Sequence, residues 1–420
     1  MTGFLPHFVV LMSLIVILGF FNERVTKITY EISLMLFSIA VGIILLFSDA
    51  YISDESVFGI LRNAEAFNIN DFLMNGVLCF MLFAGSCHMK LEDFGRQARP
   101  IAVLSILATL FGAVFYGLLF FAGARLIGLS FSLPVCLMFG SIVAPTDPIA
   151  ATSILNKFGL PKTISFLIEG ESLLNDGVGV ALFAFFSSLV TAEGDSNFLA
   201  IMAREICGAV IVGAVVTFVC SPVFTKTTDA ARQIFTSLLA VSLSYLLCDY
   251  FEFSGAIACV VCGVLFSTIR SRKALSGAPM ELSDFDTFWS IIDNLLNSML
   301  YVMLGFSFAH ILQMPHVILL SVIAVICNLL GRSGSLAAST LFLGPIPDGY
   351  DKKSFIALLT WGGLRGGLCI ALAMSTFPML EKETYHIILG GTYAIVFFTT
   401  VIQGLSMTKV YHRIEDGLKH

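Results

Sequence analysis

The sequence predicts an all-α polytopic membrane protein with about 13 transmembrane helices. Of its 420 residues, 57% are hydrophobic and 12% are charged, about half the charged fraction of a soluble domain. Apolar runs of roughly the 20 residues that a spanning helix needs recur along the chain. This composition excludes a soluble enzyme and a disordered protein. The net charge of −6 leaves no basic surface for nucleic acid.

Thirteen segments have the length and apolar character of a spanning helix, and we number them as spans one to thirteen in chain order. They are residues 4–21, 28–48, 72–88, 100–124, 132–154, 163–191, 199–220, 233–250, 254–270, 288–312, 317–342, 354–378 and 386–408.

The distribution of basic residues predicts the orientation. Seventeen Lys and Arg residues follow odd-numbered spans, and four follow even-numbered ones: Arg62, Arg125, Arg204 and Lys382. Cytoplasmic connections carry the excess of positive charge. We therefore expect a multi-pass protein of the cell (inner) membrane, with the N-terminus outside and residues 409–420 as a short cytoplasmic tail.

Six ionisable residues inside spans are candidates for function, because each costs about 2.5–3.5 kcal/mol or more at the bilayer centre. They are Asp147, Glu169, Glu171, Asp176, Arg332 and Arg365. Four acids against two arginines leave surplus negative charge, which protons or a metal cation must neutralise. An ion pair that only fixes helix packing is the alternative for some of them. The surplus charge favours a site where protons and cations compete.

Span six carries the densest polar patch. Glu171 and Asn175 are neighbours at i,i+4, as are Ser172 and Asp176. Hard oxygen ligands without His or Cys favour an alkali cation over a transition metal. Glu169 lies seven residues before Asp176 and is expected to line a cytoplasmic funnel.

Spans five and twelve should be interrupted. Asp147 stands between Pro145 and Pro148, which disfavour a continuous helix, although a simple kink is the alternative. Arg365 stands among glycines in the stretch 362–367. The two spans are seven apart and occupy equivalent positions if spans one to six and eight to thirteen are inverted repeats. Asp147 can then compensate positive helix ends, and Arg365 negative ones.

The remaining features are the buried Arg332, the cysteines and the motifs of enzymes. Arg332 in span eleven needs a carboxylate, and Glu171 is the partner we choose, although spacing alone does not establish the pair. Most of the ten cysteines lie within apolar runs, as small packing residues do. The sequence contains neither HExxH nor GxSxG, so an intramembrane enzyme is the least favoured class.

The motifs together resemble those of the NhaP-type sodium/proton antiporters. These form the electroneutral branch of the monovalent cation/proton antiporter superfamily, to which the animal sodium/proton exchangers belong. The resemblance rests on the following stretches, which occur in family order over the whole membrane region: Thr146-Asp147-Pro148, Glu169 to Gly177, Arg332, and Gly362 to Gly367.

The resemblance implies a NhaA-like antiporter fold and a homodimer. It implies one transporter unit over residues 1–408. The core helices would be about 100–191 and 317–408, rocking against dimerisation or scaffold helices at about 4–88 and 199–312.

The resemblance also assigns residues. Thr146, Asp147, Ser172 and Asp176 match positions at or near the ion, and Asn175 matches the asparagine that marks the electroneutral branch. Glu171 and Arg332 match a structural ion pair. Some relatives have a further acid in span three. Ala84 aligns there, which puts a span-three ligand in doubt.

The expected function is electroneutral exchange of one Na+ or Li+ for one proton, with both competing for Asp176, and a role in pH homeostasis. We expect no cofactor beyond the transported ions, and no partner beyond the bilayer and a second copy. A K+/H+ antiporter is the alternative, and a cation-coupled solute symporter is a remoter one. An uncoupled ion channel is a third hypothesis.

Overall fold

In the computed structural model, the regular secondary structure of the described residues is helical. These residues are 4–47, 77–147, 151–152, 155, 159–191, 198–275, 282–311, 317–346 and 349–418. The predicted all-α class is therefore confirmed for this part of the chain.

The first half of the chain contains seven of the described helices. They are α1 (Phe4–Phe21), α2 (Tyr30–Phe47), α3 (Leu78–Ser86), α4 (Leu91–Ala102), α5 (Thr109–Leu126), α6 (Leu133–Ile142) and α7 (Lys162–Thr191). A π-helical segment, Val103–Ala108, joins α4 to α5, so Leu91–Leu126 is one candidate span.

The second half contains nine described helices. They are α8 (Phe198–Lys226), α9 (Ala230–Phe251), α10 (Gly255–Leu275), α11 (Leu282–Ile311), α12 (Val317–Leu343), α13 (Lys352–Gly362), α14 (Gly367–Ser375), α15 (Lys382–Phe397) and α16 (Gly404–Leu418). Helix α16 continues beyond the predicted end of span thirteen, so most of the predicted tail is helical.

Each predicted span contains at least part of a described helix. Eight stretches are long and apolar enough to cross a membrane, and the bent pair α13–α14 brings the number to nine in the described residues. The number thirteen stays a prediction. Several predicted features lie outside the described residues: Arg62, Pro148 and residues 72–76 of span three. So do two of the basic residues that follow odd-numbered spans, Lys157 and Lys419.

The helices form two packing groups. In the first, α2 packs on α11, α3 packs on α10, and α8, α9 and α10 pack on one another. In the second, α5 packs on α6 and α12, α7 packs on α6, and α12 packs on α15. We call the first set (α1–α3 and α8–α11) the scaffold group, and the second (α4–α7 and α12–α16) the core group.

Both predicted interruptions are present where their residues are described. Helix α6 ends at Ile142, and residues 143–147 are not helical. Helices α13 and α14 are separated by residues 363–366 and bent by 63°. Proline disfavours helix in the residue before it, and glycine stabilises helix poorly, which accounts for both breaks.

Candidate cation site

The two helix breaks meet inside the core group. The backbone N–H of Asp147 donates to the Leu364 carbonyl at 2.8 Å. At Gly366, an added Cβ would lie 2.8 Å from Asp147 Oδ2. A side chain larger than hydrogen therefore has no room there, and this close approach requires glycine. Asp147 thus lies against the residue that precedes the N-terminus of α14, where negative charge is favourable.

A hydroxyl and amide network joins the first break to the middle of α7. Asn175 accepts from the Thr146 backbone N–H at 3.2 Å and donates through Nδ2 to Thr146 Oγ1 at 2.8 Å. Thr146 Oγ1 and Ser172 Oγ lie 2.9 Å apart. All three side chains are buried. Thr146 thus binds both the oxygen and the nitrogen of the Asn175 amide. The Thr146 hydroxyl also lies beside that of Ser172.

Asp176 lies next to this network on the wall of a cavity of about 410 Å³. Its side chain is partly exposed, and Asp147 lines the same cavity. Among the described residues, no donor forms a hydrogen bond to its carboxylate. The charged and titratable side chains that line the cavity are Glu31, His88, Asp147, Glu169, Asp176 and Asp293.

Glu169 lines the same cavity as Asp176. Its Oε1 accepts from Ser165 Oγ at 3.0 Å, one helical turn earlier on α7. Ala84 also lines the cavity and is 1% exposed. The helix of span three therefore presents a methyl group rather than an acid at this point.

Glu171 and Arg332 form a buried ion pair. Arg332 Nη2 lies 2.7 Å from Glu171 Oε1, and the two side chains are 5% and 1% exposed. An added Cβ at Gly363 would lie 3.0 Å from Arg332 Nε, so the pair packs directly against the second break. The structure brings these two residues together beside the site rather than in the cavity.

Arg365 lies in the second break and donates hydrogen bonds to the backbone of the first. Its Nη1 donates to the carbonyls of Ala144, at 2.5 Å, and Pro145, at 2.9 Å. These carbonyls follow the C-terminus of α6, where a helix is electrically negative. Nε and Nη2 both donate to Asn328 Oδ1, at 3.3 and 3.1 Å. Arg365 thus bridges the two broken spans.

Several polar residues near the site lie outside the set predicted from the sequence. Tyr301 donates its hydroxyl to Asp147 Oδ2 at 2.8 Å, and Asn297 and Asp293 line the cavity from the same helix, α11. These three follow one another at intervals of four residues and so share one helix face. Asp293 is an ionisable residue inside predicted span ten, which is a signal that could have identified it. Asn328, a neutral residue, carries no such signal.

The chain matches the family described as "Sodium/hydrogen exchanger, transmembrane" over residues 9–412. It is 30% identical over 363 residues to the Na(+)/H(+) antiporter NhaP of Pseudomonas aeruginosa, covering 83% of this chain and 82% of that protein. It is 27% identical to the Na(+)/H(+) exchanger beta of Oncorhynchus mykiss, covering 76% of this chain and 42% of that protein.

The fold is also similar to a solved one. The structure of the sodium proton antiporter MjNhaP1 from Methanocaldococcus jannaschii superposes with a TM-score of 0.75 at 18% identity, with both chains fully covered. The family match covers nearly the whole chain and includes both breaks and the polar network between them. The chain therefore belongs to the sodium/hydrogen exchanger family.

Proposed function

We propose that the chain is an electroneutral antiporter that exchanges one Na+ or Li+ for one proton, and that both compete for Asp176. The observation that carries this proposal is the Asp176 carboxylate itself. It faces the cavity beside Asp147 and accepts no hydrogen bond from the described residues. Asp147 and the hydroxyls of Thr146 and Ser172 supply further oxygen ligands close by. Such a set suits an alkali cation.

Competition at one carboxylate would couple the two ion flows. A carboxylate removed from water is stabilised either by a proton or by a cation. With either bound, the local charge is reduced, and the core group can carry the site past apolar surface. An empty, charged Asp176 resists that movement because a bare charge in low dielectric is costly. The core group therefore does not move back with an empty site, and uncoupled ion leak is suppressed.

Electroneutrality follows from the charges that do not change. Asn175 is a neutral amide held by Thr146, and the Glu171 and Arg332 charges offset each other. If Asp176 alone exchanges its ligand, each cation replaces one proton. We propose that Asp147 and Arg365 compensate the helix ends at the breaks, and that Glu169 lines the cytoplasmic funnel. No cofactor takes part in this scheme.

Transport would proceed by alternating access. The core group, which carries both breaks, would rock against the scaffold group, with α7 contacting α8 and α10 between them. We further propose a homodimer in the inner membrane, with the N-terminus outside and the C-terminus in the cytoplasm. The cavity, whose lining includes Glu31 and the exposed His88, would then face the cytoplasm in this state.

The test is ion exchange by purified protein in proteoliposomes, with Na+, Li+ and K+ over a pH series. A valinomycin-set membrane potential is included to test electroneutrality. We expect Na+/H+ exchange that the potential does not alter. Asp176→Asn should abolish exchange because the amide cannot take up a proton. Asp249→Asn, at an exposed position near the end of α9, is the control and should behave as wild type.

Three outcomes would contradict the proposal. Exchange by Asp176→Asn at the wild-type rate would remove Asp176 from the mechanism. A potential that drives net cation uptake would exclude electroneutrality. Exchange of K+ in preference to Na+ and Li+ would assign the protein to the K+/H+ alternative.

A further inference from the structure

Tyr301 contacts the candidate site from the scaffold group. It lies on α11, is 1% exposed, and donates its hydroxyl to Asp147 Oδ2 at 2.8 Å. Asp147 itself belongs to the break that follows α6 in the core group. The hydrogen bond therefore crosses the boundary between the two packing groups, next to the proposed cation position.

The packing of α11 leaves this hydroxyl little freedom. The adjacent residue, Leu300, lies so close to the N-terminus of α14 that an added Cβ at Gly367 would be 2.4 Å from its Cδ1. On the side facing α2, an added Cβ at Gly305 would be 2.7 Å from the Met35 carbonyl oxygen. Helix α11 is thus fixed between α2 and the second break. The fixed helix therefore holds the Tyr301 hydroxyl in position.

The bond acts on the orientation of the Asp147 carboxylate. The backbone of Asp147 is held by the Leu364 carbonyl, and its Cβ lies against Gly366. With the backbone fixed, rotation of the carboxylate is the main remaining freedom, and the hydroxyl of Tyr301 restricts it. A ligand held in its binding geometry before the ion arrives costs less conformational entropy on binding.

We propose, given the antiport function proposed above, that Tyr301 is a positioning residue that orients Asp147 for the cation in the state open to the cytoplasm. When the core group moves relative to the scaffold group, Asp147 moves with one and Tyr301 stays with the other. The bond is then broken, and Asp147 loses this restraint. The hydroxyl of Tyr301 therefore strengthens cation binding from the cytoplasmic side and has no effect from the outside.

The test compares Tyr301→Phe with wild type in proteoliposomes of known orientation, with Na+ presented to one face at a time. Loss of an orienting hydrogen bond of typical net strength should raise the apparent KM for Na+ by about 3- to 10-fold. We expect this increase on the cytoplasmic face alone, with the maximal rate within about twofold of wild type.

Tyr350→Phe is the matched control. The Tyr350 hydroxyl also donates to a carboxylate, Glu415 Oε1, at 2.8 Å, and Tyr350 does not line the cavity. Its removal should leave KM unchanged on both faces. Tyr301→Met also lacks the hydroxyl and is prepared in parallel, so that the result does not depend on the stability of one variant. The Na+-induced rise in melting temperature in detergent measures binding without transport.

The outcomes separate the inference from the function on which it rests. An unchanged KM on both faces in a Tyr301→Phe protein that transports Na+ overturns the inference. So does an equal rise on both faces, which a general distortion of the site would produce. Absence of Na+/H+ exchange in the wild type overturns the proposed function instead. A rise limited to the cytoplasmic face, absent in Tyr350→Phe, supports the positioning role.

Discussion

Two buried arginines near the site, Arg332 and Arg365, have different partners. Arg332 pairs with the carboxylate of Glu171. Arg365 donates to two backbone carbonyls and to the amide oxygen of Asn328. Among the described residues, no carboxylate lies within ion-pair distance of Arg365. The first arginine is therefore neutralised by a charge, and the second by dipoles.

The difference has a structural cause. Arg332 lies on α12, and a facing helix, α7, supplies the acid. Arg365 lies between two half-helices, where the carbonyls that follow α6 have no helical partners of their own. A guanidinium has five N–H donors and satisfies several carbonyls at once. The break thus supplies a partner that an intact helix does not have. A single substitution should therefore disrupt the two sites in different ways.

The largest effect is expected at the charged pair. Glu171→Gln leaves the Arg332 charge buried without its partner and should lower the free energy of unfolding by about 3–5 kcal/mol. Adding Arg332→Met should recover most of that loss, because the double variant contains no unpaired charge. Denaturation in detergent micelles measures both.

The exposed pair of Arg204 and Glu252 provides the control. Its side chains are 58% and 80% exposed, and such pairs contribute about 0–1 kcal/mol. Glu252→Gln should therefore have little effect. A double variant of Glu171 and Arg332 that is no more stable than Glu171→Gln alone would show that the pair acts through shape rather than charge.

A smaller effect is expected at Asn328, whose amide oxygen accepts from both Nε and Nη2 of Arg365. Asn328→Leu should cost about 1–3 kcal/mol, the penalty for leaving buried donors unsatisfied. Asn294→Leu is the control, because that exposed side chain donates within its own helix. Equal stability of the two variants would mean that the backbone carbonyls alone satisfy Arg365.

The smallest effect concerns a third arginine, Arg270, which shares an acid with His88, a residue that lines the cavity. Its Nη1 lies 2.6 Å from Asp286 Oδ1, and His88 Nδ1 lies 3.6 Å from the same oxygen. His88 is in the connection between α3 and α4. Burial lowers the pKa of His88 below its usual 6.5, and Arg270 lowers it further, while Asp286 opposes the shift.

This pKa gives a pH dependence with a definite sign. Below about pH 6.5, an unfolded chain binds a proton at His88 that the native protein binds less readily, so acidification destabilises the native state. His88→Gln should remove that part of the fall in melting temperature between pH 7 and about pH 5.5. If the wild type and His88→Gln have the same pH dependence, the group around Arg270 does not respond to protonation of His88.

The sequence is informative wherever a feature conflicts with its surroundings. Asp147 and Arg365 are charges in apolar spans, flanked by residues that disfavour helix, so the all-helical fold and both breaks can be predicted. Proximity in space is harder. Asn328 and the carbonyls of Ala144 and Pro145 are neutral groups that any chain contains. Their role depends on how α12 and the break after α6 face the break between α13 and α14, which sequence spacing does not specify.

Tyr301 illustrates the same limit. Tyrosine is common in membrane helices, so the residue alone indicates no role. The role of its hydroxyl becomes visible once the structure shows that α11 packs against the break that contains Asp147. Asp293, on the same face of α11, was detectable by its charge. The contact of Glu171 with Arg332 is present, but its role as a purely structural pair stays a prediction, as do the ion ligands around Asp176.

The hydrogen bond from Arg365 to the Pro145 carbonyl joins residues 220 positions apart. During synthesis, span five therefore emerges from the ribosome long before the arginine that satisfies its carbonyls. For that period Asp147 and the unpaired backbone around it must remain near water, at the membrane surface or in the insertion machinery, because neither is tolerated in lipid without partners. The proposed cation site can thus be completed only late in biogenesis, once span twelve has entered the bilayer.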